Sequence, residues 1–367
     1  MTRTPLISTI LLLTGLPIQA ASTVYQNGEL SIEAGGRVQI QYSDLSIDDN
    51  GLSEDDRELE VLRFRPELRI KFNPEWDIKL AYELAKDSES LKDAYLRYRG
   101  ISWIDIKLGN EVVPFSRERM ISSTKQHSVN RSITGEREFG VPARHTGLHF
   151  ETDFDLPIKL YASLAKANLY GDLLTELQFI SPWRKTDIES RLVDEGQIEV
   201  YRFEYDLLDG TRSREDNFKD RIGLTFGIAH FNWENKKDLI EIDNVSGDEL
   251  SLAFQGYGLS IETQYQRIEA ETPFIIDRLL FSEGKADIKQ KSFEIGYQIN
   301  SEWQVHAGTS SMSAATWNDD WKAKEFGVNY FIDGHAHKVQ LAYRDETQRE
   351  GRDVDLKGFY LLWQYDY

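Results

Sequence analysis

The chain contains no cysteine, which removes disulfide bracing and thiolate chemistry from consideration. It has no apolar run approaching the roughly 18 residues that a membrane-spanning helix needs, so any membrane form cannot be helical. A Gly-x-Ser-x-Gly elbow and a His-Glu-x-x-His zinc motif are both missing, and the seven histidines are scattered. Positive charge is in short supply: 43 Lys and Arg stand against 62 Asp and Glu, a formal charge of -19. Mean hydropathy is only -0.50, yet aromatic residues reach 12%. Low hydropathy with many aromatics suits a wall of strands that each turn one face to lipid and the other to water.

The last ten residues, Gly358 to Tyr367, follow that pattern. Phe359, Leu361, Trp363, Tyr365 and Tyr367 share one face, while Tyr360, Leu362, Gln364 and Asp366 share the other. At the opposite end, residues 1–21 read as a secretory signal: Arg3 in the n-region, an apolar core from Leu6 to Leu16, and an imperfect cleavage site at Ile18-Gln19-Ala20. Residues 22–367 are then expected to form the mature protein. An exported chain that spans a membrane without helices must close its strands into a barrel, because lipid satisfies no backbone donor or acceptor.

Alternation and turn signals predict strands near 36–43, 61–72, 76–85, 91–99, 103–110, 144–152 and 157–165. They predict eight more near 221–231, 249–256, 258–268, 290–300, 303–312, 324–332, 337–346 and 357–367. A sixteenth, at 172–180 or at 198–206, makes the even count of a bacterial barrel. Tight turns at 73–75, 153–156, 300–302 and 333–335 alternate with longer polar loops at 44–60, 111–143, 232–248, 269–289 and 347–356. Short periplasmic turns and long external loops give this asymmetry. Segment 181–220 is charge-rich where a short turn is expected, implying a displaced strand eight or an insertion.

Charge is partitioned along the chain. Residues 63–144 hold 16 basic and 12 acidic residues, leaving 27 and 50 elsewhere. Segment 44–60 alone carries eight acidic residues against Arg57, a solvated external loop on this reading. In 62–72, Leu62, Phe64, Leu68, Ile70 and Phe72 occupy one face, and Arg63, Arg65, Arg69 and Lys71, interrupted by Glu67, the other. A charge on the lipid face costs roughly 2–4 kcal/mol near the midplane, so the basic row is expected in the lumen. Two outcomes stay open: a track for anions, or pairing with carboxylates across the wall. Asp93, Tyr95, Arg97 and Arg99 share a face on the strand at 91–99. The loop at 111–143 adds Arg117, Arg119, Lys125, Arg131 and Arg137 and is long enough to fold inward. Pro66 removes a ladder hydrogen bond and suggests a bulge or kink there. His335 and His337 share a face beside a tight turn; solvated turn residues are favoured over a metal site.

Several segments resemble the phosphate-selective porin O/P family: Ile32 to Arg37, Arg63-Phe64-Arg65, Leu91 to Leu96, Pro114-Phe115-Ser116 through Ser122-Ser123 to Arg131-Ser132, and more weakly Ala143 to Gly147. The resemblance implies an all-β, sixteen-stranded antiparallel transmembrane barrel with an infolded constriction loop, homotrimeric, in the outer membrane of a Gram-negative bacterium. It implies that Arg37, Arg63 and Arg65 line the constriction, that Asp93 lies beside an anion site, and that Ser122 and Ser123 offer hydroxyl donors. Arg69, Lys71 and Arg97 extend the row. The family's phosphate specialists often have more consecutive arginines on this strand than the pair that Phe64 separates here.

The expectation is a passive porin for small anionic solutes such as phosphate or polyphosphate, in contact with lipopolysaccharide and outer-membrane lipid. No cofactor, metal, catalytic residue or nucleic-acid partner is expected. The alternative is a general or weakly cation-preferring porin whose arginines are paired structurally. An outer-membrane enzyme and a plugged structural barrel are the rivals from other classes.

Overall fold

The computed structural model describes residues 22–49, 51–85, 90–135, 140–167, 196–211, 222–235, 243–271, 282–348 and 354–367. The first half of the wall is β1 (Ser22–Asn27), β2 (Leu30–Asp49), β3 (Leu52–Lys71), β4 (Trp76–Glu83), β5 (Ser90–Ile101), β6 (Ile104–Val112), β7 (Arg144–Thr152) and β8 (Ile158–Ala167). The second half is β9 (Gly196–Leu208), β10 (Gly223–Asn235), β11 (Asn244–Gly256), β12 (Leu259–Glu271), β13 (Lys285–Gln298), β14 (Trp303–Ala314), β15 (Trp321–Asp333), β16 (His337–Gln348) and β17 (Val354–Asp366).

Strands β2 to β17 pair antiparallel in sequence order, and β17 returns to β2 through a ladder from Val354↔Asp49 to Asp366↔Arg37. The result is a closed ring of sixteen strands. Tyr367 completes the seam, exchanging two backbone hydrogen bonds of 2.7 and 2.8 Å with Gly36. Gly36 is required by close approach: a Cβ there would sit 2.6 Å from the Arg65 carbonyl oxygen. Strand β1 lies outside the ring, paired to β2 from Ser22↔Ala34 to Asn27↔Leu30, below the point where β17 ends.

The apolar belt that alternation predicts faces outward. Phe359, Leu108, Leu164, Ile228, Phe293, Phe326 and Leu341 are all solvent-exposed, whereas Tyr360, Leu362 and Gln364 on β17 are buried in the lumen. Side chains that polar water would reject are therefore placed where lipid accepts them. Trp76 against Tyr98 and Trp303 against Tyr330, with ring centroids 4.5 and 4.7 Å apart, sit at the short-turn rim.

Three expectations change. Segment 44–60 is not a loop: β2 and β3 run on as a paired hairpin to Asp49↔Leu52, turning through Gly51 at φ +83°. Paired backbone groups keep their ladder beyond the apolar belt, so polar strands extend past the point where alternation of hydrophobicity ends. The same extension shortens the connections expected at 232–248, 269–289 and 347–356. Pro66 does not mark the bulge. It sits opposite Gly36 in continuous register, and the β3–β4 ladder stops beside it at Glu67↔Ala81. The bulge falls at Leu62, between Gln39↔Arg63 and Ile40↔Val61, and turns Leu62 from the expected lipid face into the lumen. Strand eight is β9, so the option at 198–206 holds and 172–180 lies outside the described residues. The charge-rich stretch at 181–220 therefore contains β9 at Gly196–Leu208, and its parts at 181–195 and 212–220 lie outside the described residues. Residues 1–21, which carry the expected signal, also lie outside the described residues.

Candidate functional site

The segment 113–143 leaves β6 and folds into the barrel, its base closed by Val113 N–H donating to the Ala143 carbonyl at 2.9 Å. Its apolar residues explain where it goes. Val113, Phe115, Ile133 and Val141 are buried against Ile198, Val200, Phe231, Trp233, Ile268 and Ile288, which project inward near the external ends of β9 to β13. Phe115 meets Phe231 edge-on with centroids 4.7 Å apart. Each such side chain contributes about 1.5–3 kcal/mol on burial, so half of the lumen becomes a packed core.

Polar anchors then fix the loop's position. Arg202 donates to the Phe115 carbonyl at 2.7 Å and to Glu249 at 2.8 Å, while Arg117 N–H donates to the same Glu249 oxygen at 3.1 Å. Further along, Val129 N–H donates to Glu325 at 2.8 Å, and Gln340 and Asn329 donate to the His127 carbonyl at 2.7 and 3.0 Å. At the periplasmic end, Lys338 donates to the Gln126 carbonyl at 2.8 Å. Within the loop, Ser116 caps the helical turn α1 (Arg117–Met120). Glu118 accepts from Ser132 N–H at 2.9 Å, and Arg131 reaches the carbonyls of Glu118 and, at 2.9 Å, Ile121.

Held against β9 to β17, the loop leaves a passage between itself and β2 to β8. This cavity measures about 720 Å³. Its lining includes eleven Lys or Arg residues and five Asp or Glu residues. From the wall come Arg37, Arg63, Arg65, Lys79, Lys92, Lys107, Arg144 and Lys159; from the loop come Arg117, Arg119 and Arg131.

Of the residues singled out in the sequence, Arg37, Arg63, Arg65, Asp93, Ser122 and Ser123 meet at this cavity. Arg37 binds both sides of the passage, donating to Ser122 at 2.8 Å and to Glu67 at 2.9 Å. Arg63 donates to Gln39 at 2.6 Å. Arg65 pairs with Glu83 at 2.9 Å; the same carboxylate accepts from Phe64 N–H at 2.8 Å, filling the ladder position left open above Pro66. Asp93 lies between Lys79 and Arg144, 2.8 Å from each. Arg69, Lys71 and Arg97 face the lumen nearer the periplasmic mouth and are not part of the cavity lining. Arg97 and Arg69 pair with Asp77 at 2.7 and 3.7 Å, and Lys71 pairs with Glu33.

Lys79, Lys107 and Lys159 were not among the candidates, although each is legible by strict alternation on β4, β6 and β8. Lys92 is different. A register shift between Ala81↔Asp93 and Tyr82↔Leu91 brings it to the lumen, against the alternation that would place it beside Ala94. His335 is not a solvated turn residue; its Nδ1 donates to the Thr124 carbonyl at 3.1 Å, anchoring the loop tip. His337 packs edge-on against Trp363 and accepts from its Nε1 at 3.1 Å. Among the described residues no group of three or more His, Asp or Glu could hold a metal ion.

A closed sixteen-stranded barrel with an apolar outer belt and a polar passage narrowed by an inward loop defines an outer-membrane porin. Over residues 32–165 the chain matches the model of the family described as phosphate-selective porin O and P. Among solved structures, it is similar to the trimer form of OmpT from Vibrio cholerae (12% identity, TM-score 0.58, 92% of this chain and 99% of that chain). It is similar in the same way to an anion-selective porin from Comamonas acidovorans (11%, 0.57, 92% and 100%). A third likeness is OmpF of Salmonella typhi in complex with daunomycin (10%, 0.59, 94% and 100%). None of the curated proteins matches the sequence. The chain is thus placed in the outer membrane of a Gram-negative cell as a porin-type channel, and the match over residues 32–165 together with the barrel fold points to passage rather than catalysis.

Proposed function

We propose that the channel is anion-selective and that small phosphate-type oxyanions are its preferred solutes. The observation that carries this reading is the charge of the passage: eleven basic against five acidic lining residues, in a chain whose formal charge is -19. Basic residues concentrated on a narrow wall raise the local anion concentration and replace lost hydration. Arg37, Arg63 and Arg65 with Ser122 and Ser123 are proposed as the constriction contacts. Asp93, already held by Lys79 and Arg144, moderates the field so that a bound anion is released. Arg69, Lys71 and Arg97 would extend the path toward the periplasm. The anion selectivity of the Comamonas acidovorans porin agrees with this reading. The trimer form of OmpT supports a homotrimer here, and residues 1–21 are proposed to be the export signal of a mature barrel spanning 22–367.

The pairs Arg37–Glu67 and Arg65–Glu83 favour a second reading, a general or weakly cation-preferring porin with an acidic mouth. Reversal potential in a planar bilayer across a KCl gradient separates the two. An anion-selective potential, with chloride current blocked by added phosphate, supports the first. A cation-selective potential without block refutes it and leaves the second.

A further inference from the structure

The outer surface carries a second basic array, unrelated to the passage. On β13, Lys289 and Lys291 point outward and are exposed; on β15, Lys322 and Lys324 do the same. Strand β14 lies between them and presents Thr309, Ser311 and Ser313 on the same face, with no charge. The register aligns them: Lys291 faces Ser311, which faces Lys322, while Lys289 faces Ser313, and Thr309 faces Lys324. Neighbouring strands are about 4.8 Å apart, so the two lysine columns stand roughly 10 Å apart across a hydroxyl column. Long flexible side chains converge easily over that width.

Of the nearby carboxylates, only Asp319 pairs with a lysine of this array; Asp287, beside Lys289, and Glu269 and Asp345 are held mainly by other cations. Asp287 and Glu269 pair with Arg267 at 2.9 and 2.8 Å. Asp345, opposite Lys324 in the ladder, lies 4.0 Å from Lys357. Asp319 pairs with Lys322 at 3.0 Å. Lys289, Lys291 and Lys324 have no ion-pair partner among the described residues. One outward step toward the periplasm, Phe293 follows Lys291 and Phe326 follows Lys324, and both rings are exposed on the apolar belt. Cations and hydroxyls on the external side, directly above exposed aromatic rings, match an amphiphile with phosphoryl groups over acyl chains.

We infer that the outward face of β13 to β15 is a binding site for the phosphorylated glycolipid of the outer leaflet. The lysines and hydroxyls hold its phosphates, and Phe293 and Phe326 receive its chains. In a protein so acidic overall, this site gives an anionic leaflet a local place to adhere.

The test is binding of purified bisphosphorylated lipid A to the detergent-solubilised barrel, read by native mass spectrometry. The fourfold variant Lys289→Gln, Lys291→Gln, Lys322→Gln and Lys324→Gln should bind more than about tenfold more weakly. Dephosphorylated lipid A should bind the native protein as weakly. The paired control Lys285→Gln with Lys357→Gln should bind as the native protein does. Should the fourfold variant fail to assemble, Lys291→Gln with Lys324→Gln replaces it. Equal binding by the variant, or by the dephosphorylated lipid, overturns the inference. Competition by millimolar inorganic phosphate also overturns it, showing a free-anion site in place of a lipid site.

Discussion

Replacing Arg63 and Arg65 together by alanine removes two of the eleven basic residues on the cavity lining and leaves its five acidic residues in place. Glu83 loses its 2.9 Å partner but keeps the Phe64 N–H, so its charge stays in the passage. A unit charge about 8 Å from a permeating ion contributes about 0.5 kcal/mol in water, screened to about 0.2 kcal/mol at 0.1 M salt. Two charges make about 0.5 kcal/mol, and the effect has opposite sign for anions and cations. The anion-to-cation permeability ratio should therefore fall about fivefold. The double variant is measured in planar bilayers under a KCl gradient, with Arg69→Ala/Lys71→Ala, outside the lining, as the comparison expected to change less. An unchanged ratio in a channel that still conducts would show that the pair is structural and that the field argument fails.

Other consequences are open to direct measurement. Arg202→Ala leaves Glu249 buried without its cation, Glu204 with only the 3.6 Å pair to Arg117, and the Phe115 carbonyl without its donor. A loss of about 3–5 kcal/mol is expected, seen as a lower unfolding temperature and a noisier, larger conductance as the loop loosens. Deleting Tyr367 removes both backbone bonds to Gly36 at the seam and should reduce assembly into heat-modifiable barrel without altering selectivity in the fraction that assembles; normal yield would refute it. Gly36→Val should impair the same step, because its Cβ would press on the Arg65 carbonyl. Neutralising Asp48, Glu54, Asp55 and Asp56 on the exposed hairpin should raise anion preference at low salt, with the effect gone near 1 M, where the screening length is about 3 Å. Persistence at 1 M would mean that the hairpin acts by contact.

Much of the wall was legible because lipid and water impose opposite demands on alternate residues. The outward ring of Phe359, Leu361 and Trp363 and the inward row Arg63, Arg65, Arg69 and Lys71 follow from period and charge cost, whereas the length of the loop at 111–143 only allowed the inward turn that the family resemblance implied. Lys79, Lys107 and Lys159 obey the same alternation. Leu62 and Lys92 do not, since one extra residue in a strand reverses every expectation beyond it until the next shift. The sequence by itself determined the barrel and which side of each strand in the apolar belt faces outward, because those depend on local periodicity against a two-sided solvent. Tertiary structure alone decided which half of the lumen stays open. That choice rests on Phe115 and Ile133 meeting Phe231, Trp233 and Ile268 from strands more than 90 residues away, and on Arg37 reaching Ser122 across 85 residues. Contacts at such separations leave no periodic trace in the chain; only closure of the ring brings those side chains together.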